Sequence, residues 1–169
     1  MYVKDIMNEP VITCSSDSTL NVAAQLMWEH DCGTIPVVDH QGRLAGMITD
    51  RDICMAAYTQ GLPLQSIPVT IAMTKYALAC HLDDSVTTAE ELMREGQVRR
   101  VPVIDNDGRP VGIVAVSDLT RFAAGAKETN IDRAVVSTLA VISTPRAGNG
   151  AIANQAPGLT APRSEKHSR

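Results

Sequence analysis

The chain is written twice. Sliding the sequence by 66 positions aligns residues 3–54 with 69–120 without a gap, and about 15 of roughly 52 pairs are identical. The identities include Met7/Met73, Cys14/Cys80, Asp17/Asp83, Ala23/Ala89, Pro36/Pro102, Asp39/Asp105, Gly42/Gly108, Gly46/Gly112 and Asp52/Asp118. A tandem duplication restricts the fold severely, because one architecture must serve both copies. A unit of about 60 residues also buries too little surface to be comfortable alone. The two copies are therefore expected to pack face to face with pseudo-two-fold symmetry.

Each copy reads β-α-β-β-α, an α/β (α+β) unit. Val11-Ile12-Thr13 is a short extended run, and Asp17 or Ser18 can cap the helix after it. Leu20, Ala23, Ala24 and Met27 then recur at helical spacing. In copy two, Asp84 or Ser85 takes the cap, and Val86, Ala89 and Met93 form the stripe. Two β-rich runs follow, Ile35 to Val38 and Leu44 to Ile48, joined by the glycine-containing turn 39–43. Copy two repeats them as Val101 to Ile104 and Val111 to Ala115. Pro36 and Pro102 lack an amide donor and are expected at strand starts. A second helix begins after Thr49 and ends near Gly61; its counterpart starts near Ser117.

These boundaries give a first repeat over 1–62 and a second over 63–126. Asn130 can cap a further helix within 127–143, with Ile131, Val135, Leu139 and Ile142 about every fourth residue. From 144 to 169 the composition turns to Gly, Ala, Pro, Asn and Ser, which predicts disorder.

Aromatic residues make up only 3% of the chain, so Val, Ile, Leu, Met and Ala must build the core. A net charge of −4 speaks against a nucleic-acid binder, which wants a basic face. No apolar run approaches the length of a membrane span, and Met1-Tyr2-Val3-Lys4-Asp5 has no signal-peptide character. Cys14, Cys32, Cys54 and Cys80 form no CxxC pair and stand at no metal-ligand spacing with His. They read as reduced residues of a cytoplasmic protein, with no metal site. His30, His40 and His81 are isolated from any Ser or Cys partner, and Asp83-Asp84 and Glu90-Glu91 read as a cap and a solvated helix face. Neither GxxxxGK nor GxGxxG occurs, so nothing indicates an enzyme.

The run Ile35-Pro36-Val37-Val38-Asp39, followed by Gly42-Arg43-Leu44-Ala45-Gly46-Met47-Ile48-Thr49-Asp50-Arg51-Asp52-Ile53, resembles the cystathionine-β-synthase (CBS) domain. Two in register resemble a Bateman module over about residues 1–124. The resemblance implies a non-enzymatic regulatory module of the stand-alone bacterial type, which senses an adenosyl ligand between its repeats. It signals to an effector protein or through a homodimer. AMP, ADP, ATP, S-adenosylmethionine or NADH are the ligands it suggests, with no required cofactor. The alternative is a ligand-free interaction module that works through dimerisation.

The resemblance directs attention to Gly46 through Asp52. Thr49 stands where a strand hands over to a helix, whose first free amides suit a phosphate. Asp52 follows by three, where a carboxylate can accept hydrogen bonds from ribose hydroxyls. The same pair also reads as an ordinary N-cap and a first-turn acid. An adenine slot would be lined by Ile12, Ile35, Pro36 and Met47, with Thr13 and Thr34 in the same set. The resemblance also implies basic phosphate ligands here, with Arg100 the foremost candidate and Arg99 and Arg51 secondary; Arg99-Arg100 also reads as a solvated arginine pair at a strand start. Copy two keeps Asp118 but puts Ala115 where Thr49 stands, so Val101, Pro102, Ser117 and Asp118 make a weaker second cleft.

Overall fold

The computed structural model describes residues 1–125 and 129–144. Repeat one runs β1 (Cys14–Ser15), α1 (Leu20–Glu29), β2 (Thr34–Val38), β3 (Leu44–Thr49) and α2 (Asp50–Gln60). A one-turn helix, α3 (Val69–Ala72), leads into repeat two. This comprises β4 (Cys80–His81), α4 (Val86–Gly96), β5 (Arg100–Ile104), β6 (Pro110–Ala115) and α5 (Val116–Gly125). A last helix, α6 (Thr129–Ser143), begins one residue before Asn130, which therefore lies within its first turn and not ahead of it. The expected disorder of the terminal stretch falls outside the described residues, apart from Thr144.

The β-α-β-β-α order and the α+β class are as the duplication predicts. Each repeat forms a three-stranded sheet in which the first strand is parallel to the second and the second antiparallel to the third. Cross-strand partners share a face. In repeat one, Ile35 opposes Ile48, and both lie under the helices in a core with Leu20, Ala23 and Ile53. Repeat two builds its own core from Val101, Val114, Ala89, Met93 and Leu119. Burial pushes the Cys80 thiol in that core up to about 11, and Cys14 in the other core also rises. All four cysteines are free.

The hairpins close as their residue types require. Gly42 and Gly108 adopt φ of 76° and 78°. Asp39 Oδ1 accepts from the Gln41 and Arg43 amides, and Asp105 Oδ1 accepts from Asp107 and Arg109. The repeats meet at these hairpins. The Leu44 amide donates to the Gly108 carbonyl, and Arg109 Nε to that of Gln41. The symmetry-related bond to Leu44's is impossible, because its counterpart is Pro110.

Three local expectations are corrected. Pro36 and Pro102 stand in the middle of β2 and β5, not at their starts. Met47, opposite Pro36, spends its N–H and C=O on Thr74, so the β2–β3 ladder needs no donor from the proline. Second, the opening strand lies at Cys14–Ser15, beyond Val11-Ile12-Thr13, and pairs with Val37 and Val38, past that proline. Third, Glu90 is not on a solvated face: it is 7% exposed, on the buried stripe of α4 with Val86, Ala89 and Met93.

A feature absent from the sequence reading is a reciprocal exchange of leading segments. Residues 67–74 serve repeat one, where Ile67 is core and its carbonyl accepts the Leu20 amide at the start of α1. That bond stands in for a side-chain cap, since neither Asp17 nor Ser18 caps α1 and Thr19 makes no capping bond. Residues 1–8 serve repeat two in the same way. Val3 is buried in its core, its amide donates to the Asp84 carbonyl, and Asn8 bridges Ile113. In α4 the cap is Ser85, which accepts from the Thr88 amide at 3.0 Å.

Candidate functional site

The face of the β2–β3 hairpin opposite the core carries Thr34 paired with Thr49 and Pro36 paired with Met47. At one end of that face β3 passes directly into α2. Thr49 Oγ1 accepts from the Asp52 amide at 3.2 Å, while Asp52 Oδ2 accepts from the Thr49 amide at 3.0 Å and its hydroxyl at 2.7 Å. This reciprocal capping box realises the N-cap reading. Asp52 is half-buried, and no partner of its Oδ1 occurs among the described residues.

The first amides of α2 are not open to a phosphate, contrary to the sequence expectation. Asp50 N–H donates to the Gly33 carbonyl, Arg51 N–H to Asp50 Oδ1, and Asp52 N–H to Thr49. Each orphan donor of the first turn therefore has an intramolecular acceptor. What remains for a ligand is the Asp52 oxygen and the cation beside it. Arg100 Nη1 crosses between the repeats to donate to Thr34 Oγ1 at 3.1 Å, next to the Thr34–Thr49 pair. Thr34 and Arg100 are equivalent positions of the two copies, so this contact marks the pseudo-two-fold axis.

The structure thus brings Thr34, Pro36, Met47, Thr49, Asp52 and Arg100 to one side of the sheet. Ile35 lies on the other side, in the core, and Ile12 packs against the edge of that core. Thr13 is half-buried just before β1, while Arg99 and Arg51 are exposed. Arg99 contributes its carbonyl, which accepts the Val116 amide.

The second corner differs in kind. Asp118 is 3% exposed, and both of its oxygens are taken. Oδ2 accepts from Asn8 Nδ2 at 2.7 Å and from the Ala115 amide at 2.7 Å, and Oδ1 accepts from Arg121. Pro102 is buried opposite Ile113 as Pro36 is opposite Met47, Val101 belongs to the core as Ile35 does, and Ser117 is exposed. The sequence reading did not single out Asn8 or Arg121. Their signal lay in the internal alignment, where Asn8 matches Thr74 and Arg121 matches Met55.

A separate groove of about 590 Å³ runs between α1 and α2 on the outside of repeat one, lined by Ala24, Met27, Trp28, Cys32, Ile53 and Cys54 among others. None of the expected nucleotide ligands lines it. Trp28 and Tyr58 stand 87% and 77% exposed on these helices. On repeat two, α6 packs against the corresponding helices α4 and α5 and buries Val135, Thr138 and Ile142. Among the described residues no group of three or more His, Cys, Asp or Glu is placed to hold a metal ion, and no helix is long and apolar enough to cross a membrane.

Comparison with known proteins agrees with this architecture. The chain is 41% identical over 134 residues to the CBS domain-containing protein YhcV of Bacillus subtilis, covering 76% of this chain and 94% of that one. The crystal structure of Hypoxic Response Protein I with two coordinated zinc ions superimposes with a TM-score of 0.66 at 37% identity, over 72% of this chain and 98% of that chain. The CBS domain pair of protein MJ0100, crystallised with 5′-methylthioadenosine and S-adenosyl-L-methionine, gives a TM-score of 0.67 at 32% identity, over 74% and 97%. The CBS domain model itself matches residues 3–58 and 67–125, the two duplicated units, and the chain accordingly belongs to the CBS domain family, with two such domains in tandem.

Proposed function

We propose that this protein is a non-enzymatic, cytoplasmic regulatory module that binds one adenosine-containing ligand against the β2–β3 face of repeat one. The observation that carries this reading is the corner where Asp52 Oδ1 has no partner among the described residues, beside the inter-repeat Arg100–Thr34 bond. A carboxylate oxygen of this kind accepts from ribose hydroxyls, and half-buried Met47 beside it offers apolar surface to the base, while Pro36 opposite is itself buried. Because the α2 amides are engaged, any phosphate falls to Arg100. The adenosyl ligands of the MJ0100 domain pair support the ligand class. A ligand that touches both repeats favours one relative orientation of them, and an effector protein reads that orientation.

A thermal-shift panel of AMP, ADP, ATP, S-adenosylmethionine and NADH tests the reading. A ligand at 100 times its Kd stabilises the fold by about 2.7 kcal/mol, a rise of roughly 5–10 °C in Tm for a chain this size. The shift is expected to vanish in Thr49→Ala/Asp52→Ala while the variant stays folded by circular dichroism. An undiminished shift in that variant places the ligand elsewhere, and no shift with any of the five rejects the ligand class.

A second reading, association of two copies, is favoured by the apolar groove and the exposed Trp28 and Tyr58. In this reading the α1/α2 face of repeat one is the homodimer contact.

A further inference from the structure

The two corners of the duplication are built from the same acid but finished differently. Asp52 has one carboxylate oxygen committed, to the backbone and hydroxyl of Thr49. Asp118 has both committed, and two of its three partners come from outside its own strand–helix turn. Asn8 arrives on the exchanged leading segment, fixed there by backbone bonds to Ile113 in both directions at 2.9 and 3.1 Å. Arg121 reaches back from the second turn of α5 to Asp118 in the first. In repeat one the corresponding residues are Thr74, whose backbone makes the same paired bonds to Met47, and Met55. Neither side chain reaches Asp52, and Met55 carries no donor.

We propose that Asn8 and Arg121 are an intramolecular occupant of the second cleft: they take the hydrogen-bonding positions on Asp118 that a ribose would need, so the chain binds one adenosyl ligand and not two. This rests on the reading of the Asp52 corner given above. The physical argument is a competition. A buried carboxylate with an amide, a backbone N–H and a guanidinium already in place gains little by exchanging them for hydroxyls, and breaking the Arg121 contact leaves a charge poorly compensated. The occlusion belongs to this chain's own side chains, since the backbone around Asp118 matches that around Asp52. Giving repeat two the residues of repeat one should therefore open it.

The test is isothermal titration of wild type and Asn8→Thr/Arg121→Met with S-adenosylmethionine and with AMP. The expected result is saturation of the wild type at one ligand per chain and of the double variant at two, the second binding more weakly because Ala115 lacks the Thr49 hydroxyl. Arg121→Met by itself leaves the Asn8 pairing intact. If the double variant does not fold, the single variant decides, and a second, weaker site is expected in it. Two ligands per wild-type chain, or one per chain in both proteins, overturns the occlusion and leaves the Asp52 reading standing. No saturation of either protein by either probe overturns both.

Discussion

Gly46 and Gly112 occupy equivalent positions on β3 and β6, yet a methyl group at each meets a different neighbour. A Cβ on Gly46 would lie 2.4 Å from the Thr74 carbonyl oxygen, whereas on Gly112 the nearest atom is the Met7 sulfur at 2.5 Å. Backbone held by two hydrogen bonds cannot retreat, but the end of an unbranched side chain can. Gly46→Ala is therefore expected to cost about 2–3 kcal/mol and Gly112→Ala nearer ~1 kcal/mol, as read from urea unfolding midpoints. Equal losses would show that both leading segments yield in the same way. Gly46 is a point of close approach on β3. What approaches is the neighbouring copy's segment, and that needed the three-dimensional pairing of Met47 with Thr74.

At the scale of elements, the starts of α2 and α4 and the turns followed from local chemistry, so Thr49 and Ser85 cap their helices, α2 ends at Gly61 in the left-handed region and both hairpins turn on glycine. The prolines were misjudged because their surroundings come from distant parts of the chain, the Met47–Thr74 pairing for Pro36, and Glu90 because it is buried with Val86, Ala89 and Met93 on α4. Burial raises the Glu90 carboxyl above its ordinary range, a shift that Arg94 opposes and Glu91 reinforces. With the folded pKa above the unfolded one, the folded state holds more proton between the two values. Stability thus falls as pH rises through that window and stays lowered above it. Glu90→Gln is accordingly expected to melt above the wild type at neutral pH, with the difference shrinking towards about pH 4. A difference that does not change with pH would mean that charge burial is not its source.

For the whole molecule, the duplication prescribed two equal halves, and besides their two acidic corners these differ in how their outer helices are covered. The outer helices of repeat two lie under α6, and those of repeat one carry an open groove with Trp28 at its edge. If that face joins two copies, light scattering should report a dimer for the wild type and a monomer for Trp28→Ser at the same concentration. A dimer in both would remove the groove from the interface. The candidate site was legible in part for a related reason. Thr49 and Asp52 are neighbours in sequence, but the Arg100–Thr34 bond and the closure of Asp118 by Asn8 depend on how the halves meet.

The exchange of leading segments has a consequence for how such a chain can be divided. Each half of the sequence carries the strap that completes the other's core: Val3 is buried among the residues of repeat two, and Ile67 among those of repeat one. Cut between them, the halves would be complementing fragments, each unfinished until the other returns. A gene for a single unit would yield a chain that closes only by trading straps with a second copy. The present molecule is in that sense a fused, segment-swapped pair, and the peptide link that joins its halves turns an association between two chains into a closure within one.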